Sequence, residues 1–163
     1  MNSKVYIYIA VIASVLAGVL HGFFVSVQHI EIAPEFWFFI LIGLAQIAWG
    51  GSFYFKQSPS FYFIVAILNG SVTVFWLSTR IFPAPFATLP ESFYSLGILI
   101  GILQVITFIT SYFATRKYYN ITLKLLILAI LLSLILGFIG YYVAKSSEAL
   151  ALLLSTSTIK GPL

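Results

Sequence analysis

Cysteine and aspartate are both absent from this chain, and its 163 residues include only four acidic residues and two histidines. The missing cysteine removes disulfides, thiolate metal sites and cysteine nucleophiles together. The missing aspartate removes a Ser-His-Asp triad and an aspartate dyad. No H-E-x-x-H motif occurs, and no phosphate-binding or dinucleotide glycine pattern sits in a soluble context. A nucleotide is therefore not expected. Neither is a bis-histidine haem, because His21 and His29 lie in one segment. Catalysis has little to use, and the sequence points away from an enzyme.

Charge is the next scarcity. Only 7% of residues are charged and 61% are hydrophobic, against about 25% charged in soluble domains. That composition cannot build a surface for water. The net charge of +4 is too thinly spread for a nucleic-acid partner, the only basic run being Arg116-Lys117. These positive charges suit anionic lipid headgroups instead.

What the chain has in quantity is long apolar runs. Stretches of about 20 such residues match the hydrocarbon thickness when helical. Five fit: Val5–Val27, Phe36–Phe55, Phe61–Thr79, Phe93–Thr115 and Ile121–Val143. The separators HIEIAPE, KQSPS, RIFPAPFATLPE and RKYYN are short, and no proline falls inside a span, as helix hydrogen bonding requires. A β-barrel would alternate apolar and polar residues, which these runs do not. The first run begins like a signal peptide but continues to Val27, too long for a typical leader core. It reads as a transmembrane helix.

The expected fold is all-α: a polytopic integral membrane protein, one domain over residues 1–163, a compact bundle of five transmembrane helices. Residues 144–163 form a short tail, with Ala149–Leu154 as a brief interfacial turn. With the N-terminus inside, Lys4, Lys56, Arg116, Lys117 and Lys124 are cytoplasmic. Arg80, Lys145 and Lys160 are then outside, a modest positive-inside bias. All four acids, Glu31, Glu35, Glu91 and Glu148, fall outside with both histidines. The orientation read from this is N-in, C-out in the cell membrane, with Arg80 as an interface anchor.

Each span carries small or polar residues at helical spacing, the pattern through which helices associate in lipid. G-x-x-x-G occurs at Gly18 and Gly22, and again at Gly97 and Gly101. Gln46, Asn69 and Gln104 lie at similar depth, ~12–17 Å from a span end at ~1.5 Å per residue. They either pin the helices together or line a polar core for a quinone, small solute or water.

The stretch HGFFVSVQHIEIAPE (21–35) collects both histidines and two of the acids. His21 shares a helical face with Ser14, Gly18 and Val25 and should point into the bundle, where ionisable groups mark function. His29, Glu31 and Glu35 follow, and Glu35 starts a face that continues to Gln46. Imidazoles and carboxylates suit copper, zinc or iron, so His21, His29, Glu31 and Glu35 are the candidate metal ligands. The spacing is no tight signature: His21 and His29 would lie ~12 Å apart along a continuous helix. In the plainer alternative His21 bonds a neighbouring helix and Glu35 caps the second span.

Three functions follow, in this order. The first is a small integral membrane subunit or accessory factor of a larger membrane complex. It would be surrounded by lipid and by other subunits or copies of itself. Its outer His/Glu cluster would bind a metal or dock an extracytoplasmic partner. The second is a small-solute transporter or channel built on Gln46, Asn69 and Gln104. The third is a metal-dependent membrane enzyme.

Overall fold

A computed structural model describes residues 3–31, 33–55, 58–83, 90–115 and 123–158. Lys56, Arg116, Lys117 and Lys160, which enter the charge count above, lie outside the described residues. Five helices are long and apolar enough to cross a membrane, and no strand occurs among the described residues. The first helix is α-helical over Ser3–Val19, π-helical over Leu20–Val25, and closes on an α turn at Ser26–Gln28. The second is Ala33–Phe55, the third Pro59–Ile81, the fourth Ser95–Thr115 and the fifth Leu123–Thr158.

Local chemistry sets the starts. Pro34 and Pro59 occupy the first turns of the second and third helices, where a missing N–H costs nothing. Glu35 places a negative charge at the positive end of the second helix dipole. The fifth helix departs from expectation, since no break separates a tail from the span. Neither glycine nor proline occurs between Gly140 and Gly161, and alanine, leucine, lysine and glutamate there are strong helix formers. A Lys145–Glu148 ion pair at 2.7 Å adds to it. Its 36 residues extend ~54 Å at ~1.5 Å each, well past a hydrocarbon core of about 30 Å.

The first helix packs on the second and the fourth, and the third packs on the fourth and the fifth. The second and third also meet through rings, Phe38 on Phe75 at 5.1 Å and Phe53 on Tyr62 at 5.2 Å. The interior mixes an apolar cluster of Ile7, Phe53, Tyr62 and Val65 with many small and polar residues, while the exterior carries many large apolar side chains. On the first helix Val5, Tyr8, Ile12 and Leu16 are exposed, whereas Ala10, Ser14, Ala17 and His21 are buried. Gln46, Asn69, Gln104 and Thr107 are buried on the others. This distribution, with five helices long and apolar enough to span, is compatible with a multi-pass membrane protein.

Glycine makes two of the crossings. A Cβ on Gly43 would meet the Gly18 carbonyl oxygen at 2.6 Å and the Gly22 nitrogen at 2.7 Å, so these backbones touch. On the third and fifth helices, Gly137 lies against Val74 and the Ser71 carbonyl in the same way, and Gly70 lies under Ser133. The fourth helix is different. A Cβ on either Gly97 or Gly101 would come within 3.3 Å of the Trp76 indole, and one on Gly97 also within 3.0 Å of the Tyr94 ring, so this G-x-x-x-G seats side chains rather than a helix.

Candidate functional site

The π-helical stretch lies at the centre of the stretch singled out above. Ser26 N–H donates to the His21 carbonyl, five residues back, which is the π-helical bond. Gly22 sits within this wide turn, and the Ser26 hydroxyl donates to its carbonyl at 2.6 Å. Such single π turns recur at functional sites.

His21 is 5% exposed. Its Nδ1 lies 2.8 Å from Gln46 Oε1 on the second helix, which fits an Nδ1–H donating to the amide oxygen. Gln46 is held in turn. The Ser14 hydroxyl donates to its carbonyl at 2.8 Å, and the Trp49 indole donates to that hydroxyl at 2.9 Å. The clamp ties the first two helices where their glycines cross. Because both partners are buried, truncating either one strands the other. We predict that His21→Ala and Gln46→Ala each destabilise by about 1–2 kcal/mol. The pair in a double-mutant cycle should show coupling near 1 kcal/mol. Additive losses in detergent unfolding would show that the contact contributes nothing.

His29 is engaged separately. Its Nδ1 lies 2.5 Å from Glu35 Oε2, both side chains being mostly buried. The two imidazoles pack on one ring, Phe39, with centroids 5.9 Å from His21 and 4.9 Å from His29. Glu31 is exposed on the turn between the helices. The four residues named as metal ligands thus divide into His21 with Gln46, His29 with Glu35, and Glu31 apart. Among the described residues no three of His, Cys, Asp or Glu gather as a metal would need.

The cluster is larger than the sequence suggested. Arg80, read above as an interface anchor, is buried, its side chain 1% exposed. It pairs with Glu91 and lies over two rings, 5.1 Å from the Trp76 centroid and 5.3 Å from that of Tyr94. Glu91 N–H also donates to the Thr79 carbonyl at 2.9 Å. One signal for this pair was available. Arg80 and Glu91 are the only charges of RIFPAPFATLPE, one at each end and opposite in sign.

These groups surround a cavity of about 230 Å³ to which all five helices contribute. His21 and Glu35 reach it from the first two helices, Trp76 and Arg80 from the third. Tyr94 comes from the connection just before the fourth helix and Gly97 from its first turn, and Ala144 and Ser147 come from the fifth. The remaining wall is apolar, with Phe38, Phe39, Ile42 and Phe75 prominent. The amides of the presumed polar core behave otherwise. Asn69 donates to the Val65 carbonyl at 3.0 Å, and Gln104 Oε1 accepts from Thr73 at 3.3 Å. Neither they nor Gln46 line this cavity. Comparison with protein-family models, curated proteins and solved structures returns no match.

Proposed function

We propose that this protein is a small multi-pass integral membrane protein acting as a subunit or accessory factor of a larger membrane complex. In this reading it holds a small group in the cavity at its His29 end rather than transforming one. The observation that carries it is the convergence of all five helices on that cavity, where buried Arg80 and His21 and the partly buried Glu91 and Glu35 stand within an aromatic wall. Ionisable groups are costly at membrane depth and are kept where they serve a site. With the N-terminus cytoplasmic, this end is extracytoplasmic, as the excess of lysine and arginine on the other side favours. The apolar exterior suits lipid and neighbouring subunits.

Mild-detergent purification tests the reading. The expected result is a stable assembly with other membrane proteins in fixed proportion. A chain that purifies alone, and alone conducts small solutes in proteoliposomes, would overturn it. Metal analysis of the same preparation separates copper, zinc or iron at His21, His29, Glu31 and Glu35 from an organic occupant.

A further inference from the structure

We infer that the occupant of this cavity is a neutral, carbonyl-bearing lipid of the isoprenoid quinone type, entering from the bilayer between the second and fifth helices. The inference rests on the reading of the cavity as the functional site, and three observations carry it.

The first is a set of unused donors. The Arg80 Nε–H and the Trp76 indole N–H are buried without a partner among the described residues, and both residues line the cavity. A buried donor left unpaired costs about 1–3 kcal/mol. A ligand offering acceptor oxygens would relieve both. The second is charge. Arg80 is already matched by Glu91, and a second carboxylate, Glu35, lines the same space beside His29. A phosphate or carboxylate head would meet two carboxylates for one guanidinium, so a neutral carbonyl head fits better. The flat walls of Phe38, Phe39, Phe75, Trp76 and Tyr94 favour a planar ring. The volume, below the ~300–1,000 Å³ of sites for larger ligands, suits one ring.

The third is a place for the tail. A groove of about 350 Å³ shares Phe38, Ile42, Val72, Phe75 and Ala144 with the cavity and runs along Gly137 and Gly140 of the fifth helix. Its floor is nearly all apolar, and Gly140 and Val143 are exposed on the lipid-facing side. Gly140 is open: a Cβ there would come no closer than 3.6 Å to Phe75. A larger side chain would fill the groove without disturbing the helix.

Native mass spectrometry of the detergent-solubilised protein tests this, using decylubiquinone, its tailless benzoquinone ring, monoolein and dodecyl phosphate as probes. One saturable decylubiquinone adduct is expected, resisting a tenfold excess of either other amphiphile. Trp76→Phe keeps an aromatic face, though a smaller one, and removes the N–H; Arg80→Lys keeps the charge and removes Nε. Each should weaken binding roughly five- to tenfold. Gly140→Leu should weaken decylubiquinone and leave the tailless ring unchanged. Unaltered thermal unfolding shows that Gly140→Leu and Trp76→Phe are folded. Displacement by monoolein or dodecyl phosphate at equal concentration would overturn the proposal, as would equal binding by parent and both variants. Absence of quinone from a protein that still co-purifies with partners refutes this inference alone. A quinone-binding chain that purifies without partners refutes the subunit reading alone.

Discussion

Gly43→Ala destabilises the protein and Gly43→Val does so severely, while Gly51→Ala, eight residues along the same helix, has no cost. At Gly43 the atoms that a Cβ would strike are the Gly18 carbonyl oxygen, the Gly22 nitrogen and the Gly22 Cα, all within 2.8 Å. Every one is backbone. No rotamer change can clear the space, so the first two helices must separate. Separation also breaks the His21–Gln46 and Ser14–Gln46 hydrogen bonds, which require the close crossing. Over-packing costs about 1–3 kcal/mol where neighbours can adjust, and Gly43→Val should reach or exceed the upper end. At Gly51 nothing lies within 4 Å. Alanine there gains helix propensity of up to about 1 kcal/mol. Unfolding in a denaturing-detergent titration compares the two directly. Equal stability of Gly43→Val and the parent would show that the crossing is not as tight as described.

The same contrast shows what the sequence could and could not reveal. Five runs of about 20 apolar residues have one inexpensive fate in hydrocarbon, so the helices and most of their limits were legible. The small-residue stripes were legible as well, but not their use. Gly18 and Gly97 both open a G-x-x-x-G, yet one meets a backbone and the other an indole. The difference depends on which helix lies opposite, and sequence spacing carries no record of that. The fifth helix was cut short by hydropathy because Lys145, Ser146, Ser147 and Glu148 are polar. Backbone hydrogen bonding continues through polar residues regardless.

At the site, His21 was legible because its face is set by helical period. Its partner Gln46 was legible as a neighbour on the facing helix. The division of the histidines was not, since it depends on Phe39 standing against both rings. Arg80 was misread because a cation at a span end ordinarily reaches for the interface. Here a proline-bearing connection returns Glu91 to it, and two aromatic faces cover the rest.

Glu91→Gln therefore destabilises the protein by about 3 kcal/mol, and the effect is nearly independent of salt. The substitution is close to isosteric, so packing is preserved and only the charge is lost. What remains is a guanidinium whose side chain is 1% exposed, without its counter-charge. Removing one member of a buried ion pair costs about 3–5 kcal/mol. The partial exposure of Glu91 argues for the lower end of that range, as do the Trp76 and Tyr94 rings over Arg80, each worth roughly 0.5–2 kcal/mol to a cation. Screening acts weakly on a pair withdrawn from water, whereas a surface pair worth under about 1 kcal/mol would fade with salt. Removing both charges separates pairing from packing. Arg80→Met with Glu91→Gln removes both charges of the pair, and it should recover most of the loss seen in Glu91→Gln alone. Unfolding measured at low and high salt for the parent and the two variants decides the matter. A Glu91→Gln protein as stable as its parent would mean that the Arg80–Glu91 pair does not hold this end of the bundle closed.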